Sequence, residues 1–591
     1  MRWERVAQLV ALVGGVLLSI ILVTMAVIAL DDWVALVALT AVVAGSLLAR
    51  NLIRRRIPGG TVIEIDLEGG VVESIGSDPV SQALTRNSVV LRDVLDALHR
   101  AADDDRVTGL VVRLGNGGIE IGTAQELREA VRRYRESGKT TVAYADTFGE
   151  SGEATVDYYL ASAFAQIYLQ PMGGISIQGR LARARFLRGA LDKLGIYPDF
   201  DHREEYKSAK YMFTETGFTE PHREALGSVV EDHFSQIVEG IAADRGLSHE
   251  AVSTLIDQAP LTSEEAFASG LVDHVGHRDE AYAASGGNGL IYHHRYLKKA
   301  GRPHRKGDRI ALIYGTGAIA RGSSRFDPLT GGPSLGADDV AKAFRKATDS
   351  DKVKAIVFRV DSPGGSAVAS EVVRREVVRA REAGKPVVVS MGNVAGSGGY
   401  WVATDADRIV AQPGTITGSI GVVFGKLVTG DAWARLGITF GQLPYGENAG
   451  FWSPQQKFSD GERERVQAEL DDVYQRFISI VAAGRGLEDH HVQEIAKGRI
   501  WTGAQARDHG LIDELGGLYR AIDLAKEVAG IDADRPVRVK VYPERRALPI
   551  PRREDNSEPV RQGVGALVDL LVGIGEAESG VQARMPDLHL R

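Results

Sequence analysis

DRVTGLVVRL, residues 105–114, returns as DKVKAIVFRV at residues 351–360, and that recurrence decides how the chain is built. Each copy is a charged start followed by a short run rich in Val and Ile, the composition of a strand buried on both faces. The match extends outward in both directions. Upstream, TVIEIDLEG from Thr61 resembles RIALIYGTG from Arg309, and VLRDVLDALHRAADD resembles GADDVAKAFRKATDS. Downstream, GKTTVAYAD from Gly138 pairs with GKPVVVSMG from Gly384, AADRGL with AAGRGL, and LTSEEAFASGLVDHVG with WTGAQARDHGLIDELG. Self-similarity at a fixed offset marks two homologous halves in tandem, residues 57–295 and 296–545.

Within each half, strand-like runs alternate with helical stretches such as AVASEVVRREVVRAREAG, whose apolar residues fall three and four apart, so each half is predicted to be an α/β unit. The joint SGGNGLIYHHRYLKKAGRPHRKGD mixes glycines with basic residues and reads as a linker. The tail beyond Tyr542, with residues 546–591 as its own segment, opens with a Pro/Arg-rich stretch and contains the short apolar patch VGALVDLLVGIG, a candidate docking helix.

Bulk composition excludes several classes of function. The 591 residues are 44% hydrophobic, enough for more than one core, and carry a formal net charge of -8 without the basic stripe that nucleic acid requires. Cysteine is absent, which excludes disulfides, thiolate zinc sites and a cysteine nucleophile. The 14 histidines never take an HExxH-like spacing, and His293-His294 and His490-His491 sit in polar, loop-like or helix-surface contexts.

Residues 1–56 read as a membrane anchor. Val6 to Leu30 is uncharged and long enough to span a bilayer, which takes about 20 apolar residues. A second run, Val34 to Ala49, is marginal in length and stops at Arg50 and the cluster Arg54, Arg55, Arg56. The first run is too long for a signal-peptide core and no AxA-like site closes it. Arg2 and Arg5 favour a cytoplasmic start, so one span places the remainder outside. Two spans, with Arg50 to Arg56 held inside, return it to the cytoplasm, and charge leaves both topologies open.

Chemistry is expected where the two copies differ. After Val360 the second copy reads DSPGGSAVAS where the first has only GNGGIEIG. Gly364 and Gly365, between strand and helix, can turn backbone N–H groups toward a carbonyl oxygen, although a tight turn alone would use the same residues. NVAGSGGYWVAT (393–404) faces DTFGESGEATVDYYLAS, and Ser397 stands between Gly396 and Gly398 at the start of a helix. It can be a nucleophile at a helix N-terminus or simply an N-cap. In the first copy Glu150 and Glu153 interrupt that position and would repel an oxyanion. A serine nucleophile needs a base, and no histidine is near in sequence. Lys207, in EEYKSAKYMF, lies among Tyr206, Tyr211, Met212 and Phe213, and burial there would favour its neutral form. A solvated surface lysine is the alternative, and Glu204 and Glu205 would oppose neutrality if they pointed inward.

Tandem α/β halves, an N-terminal anchor, YKSA in the first half, and DSPGG, GSGGYWVA and TGSIGV in the second together resemble the long form of the signal peptide peptidase A (protease IV) family. The resemblance runs from about Thr61 to Tyr542. It implies two ClpP/crotonase-like repeats and a serine endopeptidase with a Ser/Lys dyad that needs no metal or organic cofactor. In that reading Ser397 is the nucleophile, Lys207 the general base, Ser419 the residue that orients the lysine amine, and Gly364 and Gly365 the oxyanion hole. It also implies a homotetramer, apolar peptide substrates such as signal-peptide remnants, and a cell-membrane location with the catalytic part outside. Two other readings compete: a crotonase-like acyl-CoA enzyme, which would want an acidic base near the hole, and a catalytically silent membrane scaffold, which would have lost one dyad partner.

Overall fold

The computed structural model of the chain describes residue 40 and residues 57–76, 79–150, 152–327, 332–543, 582–584 and 589–590. Apart from Thr40, the apolar runs Val6 to Leu30 and Val34 to Ala49 lie outside the described residues, as does the patch VGALVDLLVGIG. Among the described residues no helix is long and apolar enough to cross a membrane.

Each half is built on a largely parallel sheet with helices packed on it. In the first half the strand order is His274–Val275, Gln166–Leu169, Thr140–Ala145, Val107–Arg113, Thr61–Asp66 and Gly289–Tyr292, all parallel. In the second, Val387–Gly396, Val353–Ser362, Asp308–Thr316 and Val537–Tyr542 repeat the central order in parallel. Ile416–Gly418 and Ile500–Thr502 extend it beyond Val387–Gly396. The Val- and Ile-rich runs that announce the repeat are the central strands, with Leu110, Val111, Ile356 and Val357 fully buried, as parallel sheets covered on both faces require.

Helix ends follow local chemistry. The long helices Glu220–Arg245 and Asp460–Arg485 occupy equivalent places; Thr219 and Ser459 cap their starts, and Gly246 and Gly486 close them in the left-handed conformation at φ 67° and 64°. One apolar core joins the repeats, since Ile310, Leu312, Val357 and Val388 of the second sheet cluster with residues of the first half.

The stretch read as a linker is instead structured. GLIY forms the edge strand Gly289–Tyr292 beside Thr61–Asp66, and the helix His293–Ala300 follows, burying His293, Tyr296 and Leu297. That helix runs across the expected boundary at 295/296. Its glycines and lysines gave the local signal of a loop, but the parallel pairing of GLIY with Thr61–Asp66 and the buried stripe of HHRYLKKA finish the first repeat.

A further sheet crosses between the halves. Its order is Phe326–Asp327, Gly332–Gly336, Ala318–Ala320, Gly364–Ser366, Gln582–Arg584, Val423–Val428 and Tyr197–His202. The last strand belongs to the first half and pairs antiparallel with Val423–Val428 of the second, from Tyr197 opposite Val428 to His202 opposite Val423. This arm carries the first half's side chains into the second half's site.

Candidate active site

Ser397 follows directly on the strand Val387–Gly396 and precedes a single helical turn, Gly398–Trp401. Its backbone is unusual for a residue with a side chain, at φ 55° and ψ -117°, a conformation held only where surroundings over-determine it. Its N–H donates to Gly418 O at 2.8 Å, and a Cβ on Gly399 would meet Ser362 O at 2.5 Å. Gly399 in GSGGY is therefore dictated by close backbone approach. Ser397 makes no side-chain cap bond, so the N-cap role open in the sequence is not the one it plays. The helix is one turn long, and its dipole offers correspondingly little to a developing negative charge.

Lys207 reaches this serine from the arm. After Tyr197–His202, the chain turns through Glu204, at φ 66°, and Lys207 precedes the short 3₁₀ turn Ser208–Lys210. Asp199 fixes the arm: it accepts the Phe458 N–H at 2.8 Å and pairs with Arg463, which also holds Asp201. Lys207 Nζ then lies 2.7 Å from Ser397 Oγ, 3.0 Å from Ser419 O and 3.1 Å from Ser419 Oγ, across 190 residues of sequence from Ser397. All three side chains are fully buried. Burial holds the lysine well below its usual pKa, which favours the neutral amine. Glu204 and Glu205 are exposed, and Glu205 faces Lys497 at 3.5 Å, so neither opposes that shift from within.

Ser419, like Ser397, has a positive φ, 52°. Its N–H donates to Arg499 O at 2.7 Å. Three partners surround Nζ, matching the two N–H bonds and one lone pair of a neutral amine. Two glycines that sequence reasoning did not single out make room for this lysine. A Cβ on Gly498, at φ +78°, would lie 2.5 Å from Lys207 N, and one on Gly421 would lie 3.1 Å from Lys207 Cδ. Gly421 falls inside TGSIGV, whereas Gly498, in AKGRI, gives no local signal.

Gly364 and Gly365 form a strand packed against the turn after Ser397, both with positive φ, 98° and 152°. A Cβ on Gly365 would meet Ile319 O at 2.2 Å. The Gly364 N–H reaches Ser362 Oγ at 3.2 Å, a long bond that a better acceptor can replace. Asp361 accepts the Val394 N–H at 3.0 Å and braces the strand leading to Ser397; burial and the nearby Glu73 and Glu120 push its carboxyl up to about 7.

The first half's equivalent place is filled from within. Tyr158 Oη donates to Leu271 O as Tyr400 Oη donates to Leu511 O, which puts Thr155 where the second half has Ser397. Glu153 accepts the Thr155 N–H at 2.9 Å, and Asp157 accepts the Gly117 N–H at 3.2 Å from the loop matching DSPGG. Glu150 is exposed. Carboxylates stand where an oxyanion would have to form. Among the described residues no cluster of His, Asp and Glu is arranged to hold a metal ion.

The model of peptidase family S49 matches the chain twice, at residues 133–286 and 379–532. Protease 4 of Salmonella typhi is 33% identical over 470 residues, covering 76% of this chain and 73% of its own. The chloroplastic serine protease SPPA of Arabidopsis thaliana is 28% identical over 547 residues, 90% of this chain and 76% of its own. Among solved structures, the 1510-N membrane-bound stomatin-specific protease matches 40% of this chain and 98% of its own at 16% identity with a TM-score of 0.25, too slight a likeness to argue from. With the motif matched in both halves and a relative one-third identical over most of its length, the chain belongs to peptidase family S49, in the protease 4/SppA group, and is a serine-type peptidase.

Proposed function

We propose that this serine peptidase is a membrane-anchored endopeptidase that cleaves apolar peptides, signal-peptide remnants among them, through a Ser397/Lys207 dyad shared between its halves. The observation that carries the reading is the 2.7 Å approach of Lys207 Nζ to Ser397 Oγ in a site closed to solvent. Lys207 donates its two N–H bonds to Ser419 O and Oγ, leaving its lone pair toward Ser397. As Oγ attacks a peptide carbonyl, the hydroxyl proton passes to Nζ, and the ammonium then protonates the leaving amine. Gly364 and Gly365 supply N–H groups to the oxyanion. Water, deprotonated by the again neutral lysine, releases the acyl group from Ser397.

Burial supports this assignment, because a lysine that keeps its proton cannot be a base. The apolar run Val6 to Leu30 supports anchoring in the plasma or inner membrane, and the family resemblance favours an outward catalytic part and a tetramer. Exposed Trp433, Leu436, Ile438, Phe440, Leu443 and Tyr445 offer an apolar face for such assembly. Treating the protein with a fluorophosphonate and mapping the adduct by peptide mass spectrometry tests the dyad. The expected adduct is on Ser397 and is lost in Lys207→Met; an adduct on another serine, or one that survives in Lys207→Met, refutes the reading.

A further inference from the structure

The joint between the halves ends in RPHRKGD, residues 302–308, a basic run that neither the repeat nor the dyad accounts for. Arg302, His304 and Arg305 line a cleft of about 590 Å³ together with Arg92, Arg538 and Lys540. Its walls come from both halves: Arg92 stands on the helix Leu91–Ala102 of the first, and Arg538 and Lys540 on the edge strand Val537–Tyr542 of the second. Among the described residues no carboxylate lines the cleft, and it shares no residue with the candidate active site. Two of its five cations are balanced from behind. Arg302 donates to Asp93 at 2.6 Å and to Asp96 at 2.7 Å, and Arg92 lies 3.6 Å from Asp96. Burial, with His99 alongside, holds His304 down at about 4, so its ring adds no charge at neutral pH.

Arg305 and Arg538 are different. Among the described residues neither has a carboxylate partner, and they stand directly opposite each other in an antiparallel bridge beside the Val539 N–H bond to His304 O, 3.0 Å long. Side chains so placed lie about 5 Å apart at Cβ, and like charges there repel. Lys540, two residues along the strand, falls on the same face as Arg538. Arg305 is also held in place: its guanidinium folds over Gly301, at φ 81°, where a Cβ would lie 2.4 Å from Nη1. An anion between the two guanidinium groups removes the repulsion. Guanidinium forks fit phosphate oxygens bidentately, and the cleft has the size of a small-ligand site. We propose that this cleft binds a phosphate-bearing anion of headgroup size, a soluble phosphoester or the headgroup of an anionic phospholipid, held by Arg305 and Arg538 with Lys540 beside them. Because both halves line the cleft, the bound anion ties the repeats together across their joint.

The test titrates the full chain, held in a non-ionic detergent, with glycerol phosphate and with the short-chain lipid dihexanoyl phosphatidylglycerol, following the thermal midpoint. Dihexanoyl phosphatidylcholine and sodium chloride at matched ionic strength are the controls. Wild type should show a saturable rise in midpoint with a phosphate probe beyond that with either control, since a ligand of the folded state stabilises it. Arg305→Gln combined with Arg538→Gln should raise the half-saturating concentration roughly tenfold to a hundredfold, the scale of lost charge-assisted hydrogen bonds. In probe-free buffer at low salt the same double variant should melt no lower than wild type, because it removes a repulsion. Saturation by phosphatidylglycerol alone assigns the anion to a lipid headgroup, and equal saturation by glycerol phosphate assigns it to a soluble phosphoester. A response no larger than that to the controls, or a double variant that responds as wild type does, overturns the site. A lower midpoint of the double variant in probe-free buffer overturns the like-charge pairing on which the site rests.

Discussion

Lys207 is enclosed on all sides, and burial rather than a neighbouring charge sets its proton affinity. Burial in the folded site favours the neutral amine, while the unfolded chain keeps its proton up to the ordinary lysine value of 10.5. Unfolding therefore takes up a proton between those two pKa values. This residue's contribution opposes folding most at and below the depressed pKa and fades as pH rises toward 10.5. Lys207→Met should melt at a higher temperature than wild type at neutral pH, with the difference narrowing in alkaline buffer; a lower melting temperature at neutral pH contradicts a buried neutral lysine. In the active enzyme, kcat/KM should rise with pH through one ionisation well below the ordinary lysine value, and Lys207→Arg, whose guanidinium does not deprotonate, should lose about a hundredfold to ten-thousandfold in rate. Much of this was legible in YKSA, where aromatic neighbours imply burial. The outward turn of Glu204 and Glu205 was not, because it depends on a positive φ at Glu204 that no composition rule announces.

Between elements, the decisive contact is the antiparallel pairing of Tyr197–His202 with Val423–Val428. Periodicity identifies strands but not partners more than two hundred residues away, so the sequence could imply the two halves of the site without showing what joins them. Gly498 shows the consequence. A side chain there would both strain the backbone at φ +78° and press on the main chain of Lys207. Gly498→Ala should leave the fold intact by circular dichroism but shift the lysine, lowering kcat/KM by roughly tenfold to a hundredfold, the scale of a sub-ångström to ångström misplacement. Unaltered kinetics would mean that the arm tolerates displacement. The same limit explains the misread joint: glycines in SGGNG marked a loop locally, while the edge strand after them is stabilised by a partner, Thr61–Asp66, far away in sequence.

At the scale of the whole molecule, the repeats are locked by a buried charge cluster as well as by their common core. Arg359 of the second half donates to Glu73 at 3.0 and 2.5 Å and to Glu126 at 2.8 Å, both in the first half, and Glu126 also accepts the Leu518 N–H at 2.6 Å. Arg359→Met would leave two carboxylates buried without their cation, costing about 3–5 kcal/mol, and should lower the midpoint of a single cooperative transition. A separate early transition of one half would contradict a shared core. Duplication itself was the most legible feature of the chain, since matching strands and helices recur at nearly constant offset. The division of labour was visible as residues kept in one copy only, Lys207 in the first and Ser397 with its glycines in the second. Of the carboxylates at the first half's equivalent position, Glu153 was readable in the sequence, whereas the contact of Asp157 with the Gly117 loop became clear only from the fold. The central claim, one catalytic pair assembled from two repeats, is tested most directly by hydrolysis of an apolar fluorogenic peptide across pH by wild type, Ser397→Ala and Lys207→Met. The account predicts cleavage by wild type alone, with both variants folded and assembled as wild type; retained cleavage by Ser397→Ala would contradict it.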